Sequence, residues 1–161
     1  MPSKAVIACA HALLAQNLTI AFAESASTGR LVYEFTSVPD CGKTVKGSIV
    51  CYDRSVKESL MEIPSEVIDK YTAESPEVTQ LLAESLKKLM PADIIVAVTG
   101  LASDGGSENE EKPVGTMFVH GYIKEKAWKT KLIFDGTPDE IVAQTTDAVA
   151  TILLDEISNI S

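Results

Sequence analysis

Asp93-Ile94-Ile95-Val96-Ala97-Val98-Thr99-Gly100-Leu101-Ala102-Ser103-Asp104-Gly105-Gly106 is the stretch on which the fold turns. Asp93 to Val98 is a continuous apolar run, the mark of a strand covered on both faces. It gives way at Thr99 to small and glycine residues, whose backbone can approach a ligand closely. A flexible surface connection has the same composition. In open α/β sheets, ligands sit beyond the carboxyl ends of strands, where this loop lies.

Upstream, Ser75-Pro76-Glu77 is a helix start: a cap, a proline in the first turn and an acid near the positive end of the dipole. Val78, Leu82, Leu86 and Leu89 carry that helix to Met90-Pro91. Two short helices are expected near Arg54 to Leu60 and Pro64 to Lys70, after a strand from Val45 to Tyr52. Nearer the amino terminus, Val6, Ile7, Ala10, Leu13 and Leu14 share a face, so Ser3 to Asn17 reads as a helix. Leu18 to Ala23 reads as a strand, and a further helix ends near Thr36. Downstream, Leu101 to Lys112 is a polar loop, with Glu108 to Glu111 as a solvated tip. Val114 to Ile123 and Ala127 to Phe134 form a hairpin turning at Lys124-Glu125-Lys126. Thr137-Pro138-Asp139-Glu140 is a capping box opening a last helix, whose core face is Ile141, Thr145, Ala148, Ile152 and Leu153. Helices before, between and after strands predict a three-layer α/β/α sandwich with a mixed sheet, as one domain over residues 1–161.

The chain has 161 residues and a net charge of -9. An acidic surface repels nucleic-acid phosphates, and no basic run offsets it. No apolar run reaches the length of a membrane span, and the first residues do not form a signal peptide. The partner expected is therefore a small molecule, with neither nucleic acid nor membrane. Cys9, Cys41 and Cys51 are an odd set without zinc spacing, so free thiols and a cytoplasmic location are expected, with no metal.

A second loop, Glu24-Ser25-Ala26-Ser27-Thr28-Gly29-Arg30, follows the first strand. Backbone N–H groups and hydroxyls at a helix start can receive an anion; they also serve as an ordinary cap. Tyr52 and Lys57 lie across the end of the second strand, and a buried lysine near a serine can act as a general base. His11 and His120 have no partner in sequence and read as structural.

These blocks together resemble the CinA C-terminal domain family over nearly the whole chain. The family's Ala-Glu-Ser-Cys-Thr-Gly-Gly is matched by Ala23 to Gly29, its Val-Pro-Gly-Ser-Ser turn by Val38-Pro39-Asp40-Cys41-Gly42, and its Gly-Gly-Val-Val-x-Tyr-Ser-Asn-x-x-Lys stretch by Gly47 to Lys57. Its Ala-Asp-Ile block is matched by Ala92 to Gly106, and Lys-Pro-Val-Gly-Thr is intact at Lys112 to Thr116. The resemblance implies a Ser/Lys amidohydrolase that cleaves the carboxamide of nicotinamide mononucleotide (NMN) without a metal or other cofactor. It implies Tyr52 and Lys57 as catalytic groups, with Ser25 and Thr99 at the substrate, a mononucleotide; the two loops add Ser27, Thr28, Gly29, Gly100, Gly105 and Gly106 as candidate substrate-binding residues. It places the nucleophile in the Gly-Ser-Ser turn, at Gly42, so the attacking hydroxyl is expected to be lost, with Cys41 as the adjacent substitute. An arginine expected near the last helix has no counterpart, Asp40 stands at the first glycine of the family's turn, and Ser103-Asp104 stand where the family has Gly-Pro. A homo-oligomer is implied by the resemblance alone. Three readings follow: a diverged deamidase, a non-catalytic nucleotide or small-metabolite binding module, and an interaction protein with a vestigial pocket.

Overall fold

The computed structural model describes residues 1–160. Its elements are α1 Lys4–Ala15, β1 Ile20–Glu24, α2 Arg30–Thr36, β2 Val45–Val50, α3 Arg54–Ser59, α4 Ser65–Tyr71, α5 Pro76–Leu89, β3 Ile94–Gly100, β4 Thr116–Ile123, β5 Lys126–Ile133 and α6 Pro138–Ile160, with a 3-10 turn at Gly42–Thr44 before β2.

The expected helix starts form by local capping. Ser3 accepts from the Val6 amide and Ser75 from the Val78 amide, and Pro76 takes the first helical position, where no amide is required. Thr137 and Glu140 bond reciprocally: the Glu140 amide donates to Thr137 Oγ1 at 3.2 Å, and the Thr137 amide to Glu140 Oε2 at 2.8 Å. The first strand starts two residues later than its apolar pattern suggests. Asn17 takes a positive φ of 55° and the Leu18 amide donates back to Leu13, so Leu18 closes α1 instead of opening β1.

The sheet order is β2-β1-β3-β4-β5. The first three strands are parallel, while β4 and β5 form an antiparallel hairpin on β3. Side-chain alternation divides the core in two. Ile20, Phe22, Ile94, Val96 and Val98 face α1, α2 and α6; Ala21, Ala23, Ile95 and Ala97 face α4 and α5. The mixed sheet thus lies between two helical layers. β5 is an outer strand whose exposed face carries Lys129 and Lys131, charges that discourage edge pairing.

The connections determine where a site can form. β1 leads through α2 to β2 on one side, and β2 returns across β1 to β3 by way of the other helical layer. A crevice opens where such connections diverge, beyond the carboxyl ends of the strands. Glu24 ends β1 and pairs with Val50 at the end of β2 and with Val98 near the end of β3.

Candidate functional site

The chain turning out of β1 is fixed by one buried carboxylate. Glu24 is fully buried. Its Oε2 accepts from the amides of Gly29 at 3.0 Å and Leu31 at 3.1 Å; its Oε1 accepts from the Val32 amide at 3.0 Å and from Ser48 Oγ at 2.9 Å. Gly29, the α2 cap, has a φ of 95° and supplies no side chain to these first-turn amides, so Glu24 does the capping. The loop Ser25–Gly29 is held over the carboxyl end of the sheet as a result. Thr28 takes a φ of 48° within it.

The loop leaving β2 approaches from beside it. The Cys51 amide donates to the Glu24 carbonyl at 2.8 Å, and Asp53 caps α3 through the Ser55 amide. Lys57, on α3, turns back toward the strand ends and is 2% exposed. Its Nζ donates to Ser25 Oγ at 2.9 Å, to the Cys51 carbonyl at 2.7 Å and to the Tyr52 carbonyl at 2.9 Å. Burial lowers the Lys57 pKa, with the charges at Cys51, Glu74 and Asp53 opposing that shift. A serine hydroxyl and a lysine amine, each buried and in contact, are the two parts of a Ser–Lys nucleophile pair.

Ser25 opens on a cleft of about 600 Å³. Ala26, Ser27 and Thr28 form one wall; Gly100 and the loop to Gly106 form another; Arg30, Tyr52, Glu74 and the start of α6 complete it. Ser27 Oγ is fully buried and has no hydrogen-bond partner among the described residues. Gly100 is required where it stands, because a Cβ there would lie 2.3 Å from Met117 Sδ and 2.8 Å from the Thr116 carbonyl.

The chain belongs to the CinA C-terminal domain family. The family's profile matches residues 3–157. A CinA-like protein of Petrotoga mobilis is 38% identical over 135 residues, covering 83% of this chain and 33% of that protein. A putative competence-damage inducible protein of Geobacillus is 35% identical over 141 residues, covering 87% and 33%. The chain thus spans about a third of the length of the curated relatives it matches. A crystal structure of a CinA superfamily protein from Klebsiella pneumoniae has the same fold, with a TM-score of 0.90 at 22% identity over 97% of both chains. The competence/damage inducible protein from Agrobacterium tumefaciens superposes with a TM-score of 0.87 at 21% identity, over 96% of this chain and 97% of that one.

Set against the motifs of the CinA family, the geometry redistributes the expected roles. Ser25, Ser27, Thr28, Gly100, Gly105, Gly106 and Tyr52 line one cleft, and Lys57 lies beneath it in contact with Ser25. Tyr52 contributes its carbonyl to Lys57, and its side chain is exposed. Thr99 is turned away: its hydroxyl shares a 2.8 Å hydrogen bond with Thr79 of α5.

Cys41 and Gly42 are not brought to Lys57. Both precede β2, whose first residue pairs with Ile20 at the start of β1, whereas Lys57 follows its last, which pairs with Glu24. Five strand steps of about 3.3 Å put roughly 16 Å of β2 between the two ends. Cys41 is fully buried among the side chains facing α1, α2 and α6. Its thiol pKa is raised by burial and by Asp40, which disfavours a thiolate. Within this chain Cys41 and Gly42 therefore do not share a pocket with Tyr52 and Lys57, and the serine that meets the lysine is Ser25.

Glu108 also differs from expectation. It is not only part of a solvated tip, because its carboxylate accepts from the Gly105 and Gly106 amides, both at 2.8 Å. Lys112 donates to Thr72 Oγ1, to the Glu74 carbonyl and to Ser107 Oγ, tying the Gly-rich loop to the turn before α5. His120 is buried, with its pKa lowered chiefly by desolvation, and lies outside the cleft. Glu24, Glu74, Glu108, Arg30 and Asp139 have site roles that pattern reading did not assign. Glu24 had one signal in the sequence: an acid between a buried strand and a helix start, one residue before the serine.

Proposed function

We propose that this chain is a Ser–Lys amidohydrolase that cleaves a primary carboxamide, with Ser25 as nucleophile and Lys57 as general base. The observation that carries the reading is the 2.9 Å contact between Lys57 Nζ and Ser25 Oγ at the base of the cleft. The substrate's bond type comes from the family resemblance; the geometry supports the acyl-transfer chemistry.

Lys57 must be neutral to act, and burial favours that form. The neutral amine keeps its two N–H groups on the Cys51 and Tyr52 carbonyls, accepts from the Ser25 hydroxyl through its lone pair, and takes that proton as Oγ bonds to the amide carbon. The resulting oxyanion needs donors, and we assign one such role to the hydroxyl of Ser27, a cleft-lining residue whose Oγ has no partner among the described residues; small movement of the loop would have to expose it. Collapse of the tetrahedral adduct breaks the C–N bond. The proton on Lys57 passes to the leaving nitrogen, ammonia departs, and an acyl-Ser25 ester remains. Water then attacks that ester, giving its proton to Lys57. The carboxylic acid leaves and Ser25 recovers its proton.

The test is ammonia release from nicotinamide-bearing compounds such as NMN and its dephosphorylated nucleoside. Loss of a nucleophile typically costs on the order of 10⁶ in turnover, so Ser25→Ala should abolish release. Cys41→Ala should leave release intact. Adding Gly42→Ser to Ser25→Ala should restore nothing, because the new hydroxyl stands at the opposite end of β2. Turnover that survives Ser25→Ala, or that Gly42→Ser rescues, would reject this assignment.

A further inference from the structure

The cleft around Ser25 is poorly suited to an anion. The charged groups lining it are one cation, Arg30, and three carboxylates, Glu74, Asp104 and Asp139. Arg30 is already paired with Glu34 at 2.7 Å and with Asp139 at 2.8 Å. The two lysines beside the cleft are engaged as well: Lys57 donates to Ser25 and two carbonyls, and Lys112 to Thr72, Glu74 and Ser107.

A fold can also receive phosphate without cations, on a helix N-terminus or a glycine-rich nest of amides. Both features are present, and each holds a carboxylate of the chain itself. Glu24 takes the Gly29, Leu31 and Val32 amides at the start of α2, and Glu108 takes the Gly105 and Gly106 amides of the second loop. At α2 or the second loop a phosphate would have to displace one of those carboxylates; at the start of α6, which also lines the cleft, Thr137 caps the Glu140 amide and Asp139 stands in the first turn. Either way it would share the cleft with Asp104 and Asp139, while the one lining cation, Arg30, is already paired, and like charges at close range repel.

We infer that the cleft takes a carboxamide that carries no phosphate, on a neutral or cationic scaffold. The inference rests on the amidohydrolase reading for its carboxamide and on the charge layout for its lack of phosphate. An excess of carboxylates attracts a cationic ring as strongly as it rejects an anion.

NMN and nicotinamide riboside share an amide and a cationic ring and differ by one phosphate, so they isolate the question. With the unmodified chain, the riboside should exceed NMN in kcat/KM for ammonia release by tenfold or more. Glu108→Gln with Asp139→Asn, which weakens one amide-bound carboxylate and frees Arg30 from another, should narrow that gap. Ser25-dependent release that is equal for the two, or faster from NMN, would overturn the inference and leave the nucleophile assignment standing. Absence of Ser25-dependent release from both would remove the amidohydrolase reading instead. The charge argument is then decided by calorimetric titration of the Ser25→Ala protein: tighter binding of the riboside supports it; equal affinity, tighter NMN, or no binding of either overturns it.

Discussion

Replacing Glu24 with glutamine tests the element that builds the site. The carboxylate accepts four hydrogen bonds in full burial, two on each oxygen. An amide oxygen can retain one pair; its nitrogen then faces the other. If the oxygen stays with Gly29 and Leu31, the Ser48 hydroxyl can rotate to accept from the new NH2, but the Val32 amide loses its acceptor. One buried unpaired N–H costs about 1–3 kcal/mol, and bonds that change from charged to neutral weaken by about 1 kcal/mol each. Removing a buried charge offsets part of this, because its desolvation is no longer required. The net expectation is a loss of about 2–4 kcal/mol, which for a chain of this size lowers Tm by roughly 5–15 °C. Urea unfolding gives the free energy and scanning calorimetry the midpoint. Because Ser25 follows Glu24 directly, ammonia release should fall with stability. A change below about 0.5 kcal/mol, the range of an ordinary surface substitution, would refute the account of Glu24 as the anchor of the loop.

Two further outcomes separate chemistry from folding. Ser27→Ala should lower kcat by about 10²-fold or more, the usual effect of losing one oxyanion donor. It should leave Tm unchanged or slightly raised, since this hydroxyl is buried without a partner in the free chain; a large drop in Tm with kcat unchanged would make Ser27 structural. For pH, kcat/KM should rise as Lys57 deprotonates, with its inflection below the ordinary lysine value of 10.5. Stability should rise in the same direction. With the folded pKa below the unfolded one, the unfolded chain binds more protons between the two values. Lys57→Met should remove the rate inflection, and an inflection that persists would assign it to another group.

The parts of the fold that could be read in sequence are those set by nearest neighbours. Ser75-Pro76-Glu77 and Thr137 to Glu140 begin helices through contacts three or four residues apart, and the unbroken run before Thr99 announces a strand covered on both faces. The second strand, expected to run to Tyr52, ends at Val50 for a local reason that its apolar pattern does not show. After Val50 the chain must leave the sheet so that Asp53 can cap α3, although the Cys51 amide still reaches Glu24. The partners of Glu108 lie only two or three residues away, but nothing in the composition of an acidic loop says which carboxylate will fold back onto the glycine amides.

The pairing of Ser25 with Lys57 spans 32 residues and depends on register. The family resemblance put the attacking group in the turn before β2, at the position of Gly42. In a parallel pair, however, residues that follow two adjacent strands meet, and residues that precede a strand are left at the far edge. Ser25 follows β1, Lys57 follows β2, and the register Glu24 to Val50 aligns the two exits. Gly42 precedes β2 and is excluded by the same register, whatever side chain it carries. Lys57 on α3 is therefore offered the strand exits, together with the turn before α5 that carries Glu74. Among those groups, the hydroxyl in contact with the lysine is that of Ser25.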